Sequence, residues 1–384
     1  MNQLFASLFH MLHVLDQYLT KDQVHGSKVK LLIELRGFKT RKEAELALAR
    51  LKLDVANGTY KKERAETYQE VYDLWVVQYE NTVEESTFVK TTGIFKNHIL
   101  PVMGNYKIEK LTVDICQRHI NKWAGKLKKF RIVKSYAAKV LDFAMKRGFI
   151  QTNPFALVEM PTNLTKKTSV TNDDEVENFY IREQLIQFLT CLEQESNYQA
   201  FALFRLLAFS GMRKGEALAL TWNDLNFTTN GLRINKALSR GKDNQLYVKS
   251  TKTGVARTIK MDDKTMAILK EWKKKQKQDY LILGFNTMQP KQLVFSNEQN
   301  EYLQPTKTRK WILHVQQKYN LGAITTHGLR HTHCSLLFEA GASIKEVQDR
   351  LGHSDVQTTM NIYAHVTKKA KEEAIQKFAS YIEM

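Results

Sequence analysis

Thr326-His327-Gly328-Leu329-Arg330-His331-Thr332-His333, then Leu351-Gly352-His353-Ser354-Asp355, then Asn361-Ile362-Tyr363: this C-terminal run sets the reading of the whole chain. Its first block reads as the start of a helix. Thr326 occupies an N-cap position, and Gly341 stands where a helix end favours positive φ. Between them, Leu329, Leu336, Leu337 and Phe338 supply burial. His327 and Arg330 share a face of the first turn, where free N–H groups and the macrodipole favour an anion. An imidazole and a guanidinium there suit a phosphate. For the pair alone, a solvated surface turn is an equally good account.

A second helix follows. Ser343 and Glu346 form a capping box, and Ile344, Val347 and Leu351 mark its buried side. Gly352 ends it and leaves His353 in the loop beyond. From Asp355 onward, Val356, Met360 and Tyr363 fall at helical spacing, which by itself makes Tyr363 a half-buried core aromatic. His327, His331, His333 and Cys334 also invite a metal reading. A continuous helix turns His333 away from the face shared by His327 and His331, so no zinc ligand set is expected.

Taken together, His-x-x-Arg, Leu-Gly-His and the following tyrosine resemble the C-terminal pattern of the tyrosine recombinases, the phage-type integrases. Upstream, Gly211-Met212-Arg213-Lys214-Gly215-Glu216 matches that family's Gly-x-Arg-x-x-Glu. Lys252, in Ser250-Thr251-Lys252-Thr253-Gly254, matches the lysine expected on a β-hairpin between the two arginines. The hairpin from Lys252 to Arg257 is one residue shorter than the usual form, so Lys249 stays in competition. The resemblance covers roughly residues 65 to 384.

It implies a mainly α fold with a small antiparallel β-sheet in the catalytic domain (α+β), arranged as a multi-domain C-shaped clamp on DNA. Tyr363 would attack the scissile phosphate, giving a 3′-phosphotyrosine and a free 5′-hydroxyl. Arg213 and Arg330 would fork onto the non-bridging oxygens as charge builds there, a task for which lysine lacks the planar fork. Lys252 would protonate the leaving oxygen, His327 would accept or relay the tyrosine proton, and His353 would donate a hydrogen bond. Glu216 would orient Arg213 or His327. No cofactor and no metal is implied. The implied partners are double-stranded DNA attachment sites, a homotetramer on DNA, a host DNA-bending protein and an excision factor, all in a bacterial cytoplasm.

Composition agrees. Fifty-eight Lys and Arg against 40 Asp and Glu leave a formal charge of +18, which favours a polyanion because each neutralised phosphate releases counterions. The three cysteines are scattered and odd in number, fitting reduced thiols better than a disulfide framework. No apolar run reaches membrane-spanning length, and Met1 to Leu19 lacks a basic leader region.

In chain order, residues 1–60 hold Leu4, Leu8, Met11, Leu12, Leu15 and Leu19 at helical spacing, a weak strand from Lys28 to Leu35, and a helix near Arg41 to Ala56. The turn Gly37-Phe38-Lys39-Thr40 and the helix it leads into resemble the end of an arm-DNA-binding domain, whereas residues 1–27 do not read as its two strands. Residues 65–160 read as a helical domain, which the resemblance implies is the core-DNA-binding domain. One helix, near Glu84 to His98, is stopped by Pro101 and Gly104; another is capped by Thr112. Lys122, Lys126, Lys128, Lys129, Arg131 and Lys134 are too dense for isolated solvated charges and suit phosphate contacts. Residues 161–178 read as a linker, and residues 179–384 as the catalytic domain. Within it, Leu232 to Ala237, Leu246 to Lys249 and Ala256 to Lys260 read as strands of one sheet, with Leu293-Val294-Phe295 a further strand and Val366 to Ile382 a final amphipathic helix.

The leading reading is a site-specific recombinase of a phage or other mobile element. A host chromosome-dimer resolvase shares the chemistry but usually lacks the N-terminal extension. A non-catalytic DNA-binding protein is disfavoured by the full set of six candidates. A metal-dependent nuclease finds no carboxylate cluster.

Overall fold

The computed structural model describes residues 11–15, 31–35, 65–161, 178–252, 254–289 and 291–352, and the helical positions Glu45, Leu46, Ala49, Leu53, Gln357 and Met360. The expectations for His353, Tyr363, most of the linker and the final helix lie outside those residues. The described residues are mostly helical. The chain divides into two compact units: Met1–Trp75, Leu100–His119 and Ala137–Val158 form one, and Val76–Ile99, Ile120–Tyr136 and Glu159–Met384 form the other.

The N-terminal strands β1 (Met11–Leu15) and β2 (Leu31–Leu35) pair antiparallel, with Met11 opposite Leu35 and Leu15 opposite Leu31. This corrects the helix expected from the leucine spacing. Five consecutive apolar or aromatic-ring residues fit either period, and a pairing partner settles the choice in favour of a strand.

Four helices follow: α1 (Tyr68–Glu80), α2 (Glu85–Ile94), the short α3 (Leu100–Met103) and α4 (Val113–Lys126), with α5 (Phe130–Lys146) close behind. Pro101 does not stop the helix as expected; helical structure runs on to Met103, just before Gly104. A π-turn at Phe95–Ile99 precedes Pro101, which lies in the first turn of α3, where a missing N–H is tolerated. The core of the first unit includes the fully buried Tyr68, Met103, Cys116, Val140 and Phe155. The Tyr68 hydroxyl donates to the Ala137 carbonyl at 3.0 Å.

In the second unit, α6 (Arg182–Glu193) and α7 (Tyr198–Ser210) lead to α8 (Lys214–Leu218). Helix α7 is the hub: Leu203, Phe204 and Leu206 are fully buried, among a core that includes Phe188, Leu218, Leu232, Leu269, Phe295 and Leu329. The remaining helices are α9 (Asp263–Ile282), α10 (Pro305–Lys318), α11 (Gly328–Glu339) and α12 (Ile344–Leu351).

Between residues 225 and 260 the β-structure is two sheets, where one was expected. Strands β3 (Leu225–Asn226), β4 (Gly231–Ile234) and β7 (Arg257–Lys260) form one, in the order β3-β4-β7. Strands β5 (Lys236–Arg240) and β6 (Leu246–Ser250) form the other. Asn235 breaks the run expected as a single strand. Lys252 therefore does not tip a hairpin; it sits in the loop joining the two sheets, because β7 pairs with β4 and not with β6. Leu293-Val294-Phe295 forms no strand, only an isolated bridge from Leu293 to Thr221.

Candidate active site

Helix α7 ends at Gly211 in the left-handed conformation, φ +63°. A Cβ there would lie 2.5 Å from both the His333 ring and Leu351, so glycine is needed for space as well as for backbone shape. The reversal throws Arg213 to the start of α8. Glu216, one turn on, accepts from the Arg213 backbone N–H at 3.0 Å and from Arg213 Nη1 at 3.0 Å. Arg213 Nη2 reaches the Gly352 carbonyl at 3.4 Å.

Helix α11 supplies the second arginine. His327 takes the N-cap position in place of Thr326, and the Thr325 hydroxyl accepts from the Gly328 N–H at 3.1 Å. Arg330, 3% exposed, donates to the Gly211 carbonyl at 2.7 Å and to the Leu351 carbonyl at 2.9 Å. Both arginines thus grip consecutive carbonyls at the end of α12. That helix starts at the Ser343–Glu346 capping box and ends at Gly352 with φ +67°. His353 follows directly in sequence.

The charges are crowded. Glu216 is 1% exposed, and burial opposes its ionisation; hydrogen bonds from Arg257 and Arg213 outweigh that and hold its carboxyl below the usual range. Burial, and then Arg213, pull Arg330 down to about 9. Its charge is poorly compensated, and an arriving anion would relieve it.

His327 keeps some exposure, yet partial desolvation of its ring, followed by the positive charge of His331, Arg330, Arg213 and Lys214, lowers its pKa to about 4. It is neutral near pH 7. The His331 ring meets it edge-on at 4.9 Å. His333 is committed elsewhere: Nδ1 pairs with the Ala208 carbonyl at 2.8 Å, and Nε2 accepts from Arg350 Nε at 3.0 Å. Among the described residues, no cluster of three His, Cys, Asp or Glu could hold a metal ion.

Lys252 is exposed and has no hydrogen bond or ion pair among the described residues. The buried Thr251 shapes its loop by donating to the Val255 carbonyl at 2.9 Å. Lys249, the competitor, is engaged with Ser86 at 3.3 Å and Glu84 at 3.8 Å.

The predicted basic residues gather around the end of α4 and the start of α5. Lys122, Lys126, Lys128, Lys129 and Arg131 are exposed and Lys134 half-buried, and none has an ion pair among the described residues.

Two arginines escaped the sequence reading. Arg257 forks onto Glu216, with Nη2 to Oε2 at 2.8 Å. Arg350 holds His333 and the carbonyls of Lys260 and Phe209. A signal existed for Arg257: it has the parity of the buried Ile259 on β7, and an arginine on the inward face of a strand calls for a carboxylate.

Two family profiles match the chain: the Phage integrase family over residues 180–370, and the Phage integrase N-terminal SAM-like domain over residues 67–124. The chain belongs to the phage integrase family. The integrase is 26% identical to a tyrosine recombinase XerC-like protein of Caldanaerobacter subterraneus, over 88% of this chain and 89% of that one. It is 28% identical to the integrase of Staphylococcus phage L54a, over 82% of this chain and 93% of that one. Its fold is shared with the Tn1549 transposon integrase solved in complex with transposon right end DNA, at a TM-score of 0.66 and 20% identity, over 82% of this chain and 99% of that one. The integrase is thus a tyrosine recombinase of mobile-element type, an enzyme of DNA cleavage and rejoining.

Proposed function

We propose that this integrase cuts and rejoins attachment-site DNA through a phosphotyrosine on Tyr363, with Arg213 and Arg330 as the phosphate-binding pair. The observation that carries the reading is their convergence: both guanidiniums hold carbonyls of the Leu351–Gly352 corner while crowding positive charge around one buried carboxylate. Such a site is organised before the phosphate arrives, which is where electrostatic catalysis gains most.

In the forward step the Tyr363 oxygen bonds to phosphorus and the bond from phosphorus to the 5′-oxygen breaks. The phenolic proton passes to neutral His327, and Lys252 gives a proton to the leaving oxygen. Arg213, Arg330 and His353 bear on the non-bridging oxygens. A 5′-hydroxyl from a second duplex then reverses the sequence, so bond energy is conserved. Residues 65–160 would hold the duplex through the basic cluster at α4 and α5, residues 179–384 would carry the chemistry, and residues 1–60 would bind arm DNA. Four copies acting on two duplexes, with a host DNA-bending protein and an excision factor setting direction, complete the reading; the cytoplasm of a bacterial host is its setting.

The test is a covalent trap in EDTA. Labelled duplexes from both flanks of the gene are incubated with wild type and Tyr363→Phe, then denatured in detergent. Label on wild-type protein alone is expected and maps the cleavage site. Cleavage by Tyr363→Phe, or labelling only once magnesium is restored, would overturn the mechanism.

A further inference from the structure

Arg257 lies 41 residues from Glu216 in the chain, and its side chain is 10% exposed. Its guanidinium spans the Glu216 carboxylate, Nη2 to Oε2 at 2.8 Å and Nη1 to Oε1 at 3.4 Å. Its Nε donates to the Arg350 carbonyl at 3.1 Å. Three of its five N–H donors are therefore directed at the Glu216 carboxylate and the Arg350 carbonyl, so Arg257 is committed to the frame around Glu216. The same carboxylate oxygens receive Arg213 Nη1 and the Arg213 backbone N–H. Gly352, whose carbonyl takes Arg213 Nη2, packs on the Arg257 guanidinium so closely that a Cβ would sit 3.0 Å from Nη1.

We propose that Arg257 is a positioning residue: it braces Glu216 and the α12 terminus together, and so fixes Arg213 at the angle the scissile phosphate requires. This rests on Arg213 gripping that phosphate. Without the brace, Glu216 keeps one arginine and can swing with it, and Arg213 loses a fixed partner at each end. Lysine cannot replace Arg257, since one ammonium cannot span both carboxylate oxygens and reach the Arg350 carbonyl.

The experiment uses full-length protein and a duplex carrying the cleavage site mapped by trapping, in two forms. One has the natural scissile phosphate, and the other a methylphosphonate, which removes the negative charge an arginine would neutralise. Covalent-adduct rates are compared as a ratio within each preparation, so a partly unfolded fraction cancels. On the natural phosphate, Arg257→Gln should lose about 10²-fold, as expected for a misplaced transition-state group, and Arg257→Lys should fall between it and wild type. On the methylphosphonate, Arg257→Gln and Arg213→Ala should both recover, raising their ratios in step. Val347→Ala loosens the same helix without touching Glu216 and should leave the ratio at the wild-type value. Equal losses of Arg257→Gln on both substrates would make Arg257 a mere structural link and overturn the proposal. An Arg213→Ala ratio that stays at the wild-type value would instead overturn the reading of Arg213, and the brace with it.

Discussion

His333 shows how a residue in the signature block can serve the frame instead of the reaction. Its ring is buried, with Nδ1 on the Ala208 carbonyl and Nε2 accepting from Arg350, so it must stay neutral. Burial, followed by the Arg350 charge, lowers its pKa from the ordinary 6.5 to about 4. Between those values the unfolded chain binds a proton that the folded chain refuses. Stability is therefore full above pH 6.5 and declines as pH falls toward 4, and His327, also near 4, acts in the same sense. For a single such group at pH 5.5 the loss is about 1 kcal/mol relative to pH 7.5. Urea unfolding of His333→Gln at pH 7.5 and 5.5 should show a drop smaller by about that amount than wild type. An unchanged drop would mean that the ring is not held neutral. That His333 faces away from His327 was legible from helix geometry, whereas its partners on α7 and α12 were not.

At the scale of elements, local signals were legible and distant ones were not. The capping box at Ser343, the helix-ending glycines at 341 and 352, and the stripes of α4 and α5 all follow from residues a turn apart. The two-sheet arrangement, the β1–β2 pair and the grip of Arg257 on Glu216 depend on partners chosen across tens of residues. Two helix ends make the difference testable. Gly341 and Gly352 follow α11 and α12 with φ of +86° and +67°, so alanine at either costs about 1–2 kcal/mol of backbone strain. A Cβ at 341 meets nothing within 4 Å, while one at 352 presses on Arg257. Gly341→Ala should lower thermal stability and leave adduct formation per folded molecule near wild type. Gly352→Ala should match it in stability and lose most adduct formation. Equal activity in the two variants would show that the α12 terminus does not set the geometry of the arginines.

For the whole molecule the question is whether the charge of +18 acts as a general field or through particular side chains. A field alone would make every exposed lysine equivalent. Direct pairing with phosphates makes the α4–α5 cluster special, since Lys122, Lys126, Lys128 and Lys129 are exposed without ion pairs among the described residues. Lys264, Lys270, Lys274 and Lys277 on the outer face of α9 form a matched set, equally exposed and equal in charge. Each phosphate that is no longer neutralised should reduce the slope of log affinity against log salt by about 0.9, because its counterions stay condensed on the duplex. Replacing the first four by alanine should therefore flatten the slope by up to about 3.6 for duplex DNA, measured by fluorescence anisotropy across salt concentrations. Replacing the α9 four should weaken binding slightly at low salt and leave the slope nearly intact. Equal slopes from the two sets would assign binding to the overall field and remove the α4–α5 cluster as a DNA-binding surface.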